Sequence, residues 1–299
     1  MLRLLIVASA VCVLSASPEA RAQAGRDQSS AASVSPNGKQ LGYLCDRGDG
    51  SQVCVSNVDG SQELQLTQGP IPYGRPRWNR DGLRLNYAVF ENGVSLLFES
   101  APDGGQSVRV ATVPGRNPIL LPDPKSVLFS TPDGLTMQIM VSYRDGSNAK
   151  RISDGVGAIS NAVISPDGKQ VAFTRNVRPA PLSVWVMNID GTSARQVTRF
   201  SAGDGGPQFP AWSPDGRQLA VQSAVRSPRD TTKFIGHIWV VELATGKATK
   251  LAPHDAPYVD EIPDWFPDGK RIAFQSDRSG RMAIWIMNAD GTGARQVTK

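Results

Sequence analysis

The stretch Ile164-Ser-Pro-Asp-Gly-Lys-Gln-Val-Ala-Phe173 decides the fold, because close variants of it recur along the whole chain. Each copy is anchored on Pro-Asp-Gly or a similar turn sequence. The copies are Val34-Ser-Pro-Asn-Gly38, Trp78-Asn-Arg-Asp-Gly82, Leu120-Leu-Pro-Asp-Pro124, Ile164-Ser-Pro-Asp-Gly168, Trp212-Ser-Pro-Asp-Gly216 and Trp265-Phe-Pro-Asp-Gly269. Six units of roughly 40–50 residues therefore fill the chain from residue 30 to residue 299.

The similarity extends beyond the anchor in both directions. Five residues after it lie Tyr43, Tyr87, Phe129, Phe173, Val221 and Phe274, and six residues before it lie Ala32, Pro76, Pro118, Ala162, Pro210 and Pro263. A second turn follows in each unit, usually Asp-Gly, as in Asp190-Gly191. Turns of this kind between short alternating runs indicate hairpins, so each unit is predicted to form four strands. Repeated four-stranded units are typical of propeller blades, and we predict an all-β, six-bladed β-propeller over residues 30–299.

Composition agrees with a turn-rich β protein. The 299 residues include 29 Gly and 22 Pro, about one residue in six, which a helical bundle could not accommodate. Hydrophobic residues make up 40% of the chain, so a disordered protein is excluded as well. The six tryptophans, three on predicted first strands and three on third strands, are expected to pack between blades.

Charge and histidine content exclude several classes of function. The formal charge is +5, but the basic residues are scattered, and no nucleic-acid partner is expected. Histidine occurs only at His237 and His254, and none of the common hydrolase, zinc-protease or phosphate-loop motifs is present. We therefore expect no catalytic residues and no cofactor.

The N-terminus predicts export. Residues 1–22 have a basic start at Arg3, an apolar run from Leu4 to Leu14 and then small residues, the pattern of a cleaved secretory signal peptide. The run is too short for a membrane span, which needs about 20 apolar residues. The mature protein is expected to be a periplasmic monomer without a membrane span.

The blocks Ile164–Phe173 and Ile284-Trp-Ile-Met-Asn-Ala-Asp-Gly-Thr-Gly-Ala-Arg-Gln-Val-Thr298 resemble the propeller repeat of TolB-like proteins, a repeat also found in prolyl-oligopeptidase-type enzymes. The resemblance implies a non-catalytic docking platform of the Tol-Pal cell-envelope system, with an envelope protein such as a peptidoglycan-associated lipoprotein as partner. The α/β domain that precedes the propeller in that family is not expected here.

Loop lengths point to one binding face. The longest predicted loops, 175–183, 199–210, 224–237 and 252–263, all belong to blades 4–6 and to one side of the ring. Loops free to vary in length often carry recognition. Their charged residues form a candidate partner-binding surface with a basic part (Arg175, Arg178, Arg199, Arg226, Arg229 and Lys233) and a part near blade 6 (His254, Asp255, Asp260, Glu261 and Asp264).

Two alternatives compete with protein docking. The carboxylates near blade 6 could hold Ca²⁺, and the chain could be a small propeller lyase or lactonase acting on sugar acids with a metal in the central channel. A sugar- or peptidoglycan-binding role is not separable from docking by sequence.

Cys45 and Cys54 lie on neighbouring predicted strands of blade 1. In an oxidising compartment they could form a disulfide, but a register slip of one residue would place them on opposite faces as buried thiols.

Overall fold

The structure, a computed structural model, describes residues 28–48, 50–134, 136–227, 234–251 and 256–299. It consists of six four-stranded antiparallel sheets, in each of which the strand order follows the chain. This confirms the predicted six-bladed β-propeller. Blade 1 consists of β1 Gln28–Val34, β2 Gln40–Asp46, β3 Ser51–Asn57 and β4 Leu64–Gln65. Blade 2 consists of β5 Tyr73–Trp78, β6 Leu85–Glu91, β7 Val94–Ser100 and β8 Val108–Val113. Blade 3 consists of β9 Arg116–Leu120, β10 Ser126–Asp133, β11 Thr136–Tyr143 and β12 Lys150–Arg151. Blade 4 consists of β13 Ala158–Ile164, β14 Gln170–Asn176, β15 Ser183–Asn188 and β16 Arg195–Gln196. Blade 5 consists of β17 Gly206–Trp212, β18 Gln218–Arg226, β19 Phe234–Glu242 and β20 Ala248–Lys250. Blade 6 consists of β21 Asp260–Trp265, β22 Arg271–Ser276, β23 Ala283–Asn288 and β24 Arg295–Gln296.

Because neighbouring strands are antiparallel, the connections within each blade alternate between two sides of the ring. The side with the Pro-Asp-Gly and Asp-Gly turns is called the turn face here, and the opposite side the loop face. The first strands of the six blades surround the central channel. Each of these strands has an irregular register with its neighbour, and each contains one residue with positive φ: Ala31, Gly74, Asn117, Asn161, Phe209 and Ile262.

The Pro-Asp-Gly turn forms because its side chains satisfy its own backbone. In blade 4, Asp167 Oδ1 accepts hydrogen bonds from the Ser165 hydroxyl at 2.6 Å and from the Lys169 amide at 3.0 Å. Gly168 has φ +77°, a conformation that side chains rarely adopt. The hydroxyl and amide bonds lower the pKa of the Asp167 carboxyl.

The Asp-Gly turns also bring neighbouring blades into contact. A methyl group on Gly291 would overlap the carbonyl oxygen of Leu251, which belongs to the preceding blade. The same relation holds between Gly191 and Ile152. Glycine is thus required at these turns both for its φ and for the close approach between blades.

Replacing Gly291 with Ala should therefore destabilise the protein more than replacing Gly280 with Ala. The two glycines have nearly equal φ, +89° and +91°, but no atom lies within 4 Å of a methyl group at position 280. We expect Gly291→Ala to lower the free energy of unfolding by about 1–3 kcal/mol more than Gly280→Ala does, because only the methyl group at position 291 overlaps a neighbouring blade. Urea unfolding of both variants measures the difference, and equal costs would mean that the contact with Leu251 does not limit blade spacing.

The core lies between the blades. Of the positions five residues after the anchors, Tyr43, Phe129, Phe173, Val221 and Phe274 are fully buried, while Tyr87 is half-buried. All six positions six residues before the anchors are buried, as the repeat predicts. Trp212 and Trp265 are buried and the other four tryptophans are half-buried.

The ring closes between blades 1 and 6 without a shared strand. Ala32, Leu41 and Tyr43 of blade 1 form one buried cluster with Phe266 and Ile284 of blade 6. Cys45 and Cys54 belong to the same cluster and form a disulfide, with Cα atoms 5.9 Å apart. They are diagonal neighbours on one face, because Tyr43 pairs with Cys54 and Cys45 pairs with Gln52.

Candidate functional site

The connections on the loop face differ in length around the ring. Blades 2 and 3 have two-residue connections, at residues 92–93, 114–115 and 134–135. The connections 177–182, 197–205, 227–233, 251–259 and 277–282 of blades 4–6 are longer, as are 66–72 before blade 2 and 152–157 before blade 4. The two longest, 197–205 and 251–259, lead into blades 5 and 6, within the part of the ring where the sequence placed the candidate surface. The loop-face connections of blades 4–6 are called the rim here.

Three of the predicted basic residues are exposed on this rim: Arg178, Arg199 and Arg226. The guanidinium of Arg226 lies 4.8 Å from the ring centre of Phe234. Arg178 and Arg199 form no hydrogen bond or ion pair with other described residues. Arg229, Lys233, His254 and Asp255 lie outside the described part of the chain.

Arg175 does not belong to the exposed surface. Strand β14 continues to Asn176, and Arg175 pairs with Ser183 in the ladder instead of opening the loop. Its side chain is only 3% exposed, donates to both carboxylate oxygens of Asp154 at 2.8 and 3.1 Å, and stacks 4.4 Å from the ring centre of Trp185. The structure places Arg175 as an internal ion-pair partner, so it is not available to bind another protein.

The predicted carboxylates of blade 6 also turn inward. Asp260 and Glu261 lie on strand β21, not in a loop. Asp260 is buried and accepts a hydrogen bond from Arg278 at 2.6 Å, while Glu261 accepts one from Gln275 at 2.9 Å. Burial raises the pKa of Asp260 and of Glu261, and the hydrogen bonds from Arg278 and Gln275 oppose this rise. The described carboxylates of β21 are therefore bonded internally and are not a surface counterpart to the basic rim.

The central channel contains an ion pair that the sequence interpretation missed. Arg75 of blade 2 reaches blade 6, where its Nη1 lies 3.2 Å from Asp264 Oδ1 and its Nη2 donates to the carbonyls of Ile262 and Pro263 at 3.0 and 2.8 Å. Burial raises the pKa of Asp264, and the charge of Arg75 lowers it. The sequence does contain a signal for this ion pair: few residues on the first strands are charged, and Arg75 and Asp264 are two of them.

Arg80 crosses toward another blade at the turn face. Its Nη2 lies 3.3 Å from the carbonyl oxygen of Ser165 in blade 4. Neighbouring Pro-containing turns approach one another on the same side, as Gly82 does to Pro36 and Gly168 to Pro122. These contacts join turns of different blades on the turn face.

Within the described ranges, no group of three or more His, Cys, Asp or Glu residues is arranged to hold a metal ion. His254 and Asp255, part of the predicted Ca²⁺ set, fall outside those ranges. None of the helical segments described is long and apolar enough to cross a membrane.

Comparison with known proteins gives a consistent picture of the fold. A family model described as the TolB beta propeller domain matches residues 11–198 and 135–299. The chain is 28% identical over 265 residues to dipeptidyl-peptidase 5 of Porphyromonas endodontalis, covering 83% of this chain and 37% of that protein. It is 28% identical over 158 residues to the Tol-Pal system protein TolB of Bordetella pertussis, covering 52% of this chain and 36% of that protein.

Among solved structures, TolB from Acinetobacter baumannii is similar, with a TM-score of 0.68 and 20% identity over 92% of this chain and 64% of that chain. At that identity the likeness concerns the fold alone. The chain spans little more than a third of the two curated relatives. One is named as a peptidase and the other as a component of an envelope system.

Proposed function

This chain belongs to the TolB β-propeller family, and from that premise we propose that it is an exported, non-catalytic docking protein of the cell envelope. The partner would be a protein, for example a peptidoglycan-associated lipoprotein, bound by the loop face over blades 4–6. The rim carries the proposal, because it presents Arg178, Arg199 and Arg226 while Asp260 and Glu261 on β21 are bonded internally.

A rim of this kind suits an acidic protein surface. Exposed arginines without internal ion-pair partners can orient an oppositely charged partner and increase its rate of association. Arg178 and Arg199 meet this condition with respect to the described residues. Arg226 rests against Phe234 and so combines a positive charge with an aromatic contact surface.

Two further observations favour the periplasm. Residues 1–22 have the pattern of a signal peptide. The disulfide between Cys45 and Cys54 suits an oxidising compartment, where such bonds persist.

Reversing the charge of the rim should remove partner binding. We expect the triple variant Arg178→Glu, Arg199→Glu and Arg226→Glu to recover about tenfold less partner from envelope extract than the wild type, since rim charges mainly set association. The measurement is a quantitative pull-down followed by mass spectrometry.

The matched control makes the same change of charge on the turn face. Arg84, Lys169 and Arg217 are exposed there, so the variant Arg84→Glu, Lys169→Glu and Arg217→Glu should bind as the wild type does. Equal loss in both variants would indicate a general charge effect, and unchanged recovery with the rim variant would rule out docking through these arginines.

A further inference from the structure

Charged side chains on the first strands are confined to three blades. The basic ones are Arg75 and Arg77 on β5 and Arg116 on β9, and the acidic ones are Asp260, Glu261 and Asp264 on β21. Strands β1, β13 and β17 carry none. The wall of the channel is therefore basic on blades 2 and 3 and acidic on blade 6.

Asp264 is the carboxylate nearest to this basic wall, and both of its oxygens are already used. Oδ1 faces Arg75 at 3.2 Å, and Oδ2 accepts the Val34 amide at 2.8 Å. Arg75 is held in turn by two blade 6 carbonyls. This network joins blades 1, 2 and 6, and a second guanidinium lies beside it without bonding to Asp264.

Arg77 is that second guanidinium. It is half-buried, and its side chain forms no hydrogen bond or ion pair with any other residue in the described part of the chain. It is close enough to the network to be attracted by Asp264 and repelled by Arg75. Burial, together with the charge of Arg75, lowers the pKa of Arg77 to about 10, so the group is still charged at neutral pH.

A charged guanidinium in this position lacks a counter-ion. Arg75 and Arg77 carry two positive charges against the single charge of Asp264, which leaves one positive charge uncompensated. Beyond Arg77 the chain reaches the turn face, where Arg80 contacts Ser165. A ligand entering from the loop face would meet Arg77 deep in the channel.

We propose that Arg77 binds the carboxylate of a small, singly charged organic acid in the central channel, with Arg75 as its anchored neighbour. A guanidinium fork matches the two oxygens of a carboxylate. One uncompensated charge fits a monoanion, whereas a phosphate dianion would leave excess negative charge beside Asp264. This site is separate from the rim arginines, so it can be tested independently of protein docking.

Acetate is a suitable probe for the full-length chain. We expect acetate to shift the side-chain Nε–Hε NMR signal of Arg77 and to raise the melting temperature, relative to chloride at equal ionic strength. Arg77→Gln should weaken acetate binding at least about tenfold, since a hydrogen bond to a charged group is lost. Arg77→Lys should recover only part of the binding, because the ammonium keeps the charge but not the fork.

The control variant is Arg84→Gln, which removes an exposed positive charge from the same blade and should bind acetate as the wild type does. Without ligand, Arg77→Gln should be as stable as the wild type or more so, because it removes a half-buried cation that has no partner. Markedly lower stability would make Arg77 a structural residue and overturn the proposal. Equal acetate binding by Arg77→Gln, equal effects of acetate and chloride, or tighter binding of phosphate than of acetate would overturn it as well.

Discussion

Phe266→Ala is expected to lower the free energy of unfolding by about 3–5 kcal/mol, the range for removing a fully buried aromatic ring. Phe266 is 0% exposed and packs with Leu41 and Tyr43 of blade 1, where the ring closes. The other anchors carry Ser, Asn or Leu at this position. The effect should be measured by urea unfolding with tryptophan fluorescence and near-UV circular dichroism.

The repeat itself provides the control. Ser213 occupies the same position in blade 5, where its hydroxyl bonds Asp215 at 2.6 Å, and Ser213→Ala should cost only about 1 kcal/mol. Phe266→Ser, which restores the residue found in three other blades, should be at least as damaging as Phe266→Ala. If Phe266→Ser were neutral, blade 6 would need no special residue to meet blade 1.

Arg75→Met should lower the free energy of unfolding by about 3 kcal/mol, because it leaves Asp264 in the channel without its ion-pair partner. This is the lower end of the usual cost of an unpaired buried charge, since a quarter of the Asp264 side chain is exposed. Chemical unfolding at pH 7 measures the loss. Asp264→Asn keeps an oxygen for the Val34 amide, so the double variant Arg75→Met/Asp264→Asn should recover most of it.

The same variant has a characteristic pH dependence. Burial raises the pKa of Asp264 and Arg75 lowers it, so the pKa should rise further when Arg75 is removed. The folded variant then binds a proton at a higher pH than the wild type, and its loss of stability should shrink as the pH falls through the new pKa. A difference from the wild type that is constant with pH would show that Arg75 acts by packing alone.

The architecture was predictable because it repeats. Anchors such as Ile164–Gly168 and the buried positions around them occur six times, so an error in one unit is corrected by the others. The turn chemistry is local as well: Asp167 bonds groups two residues away on either side. Blade number and strand order followed from such short-range signals, whereas the way in which the ring closes did not.

The candidate site was only partly predictable, because its decisive contacts join distant residues. Arg75 and Asp264 are 189 residues apart, and the repeat carries no information about which blades face each other across the channel. Arg175 and Asp260 were expected in loops, but strand pairing extends past the expected strand ends and buries both. Residues near strand ends are where sequence patterns give the least guidance, and the proposed docking residues lie there.

Closure without a shared strand has a consequence for how the ring can be rearranged. Every blade consists of four consecutive strands, so no sheet needs two distant parts of the chain to be completed. The six blades therefore form a cyclic order rather than a linear one, and the seam between blades 1 and 6 joins two complete sheets, as the other five junctions do. A chain reordered to start at blade 2, 3 or 4, with blade 6 joined to blade 1 through a loop-face linker, would encode the same ring and the same channel.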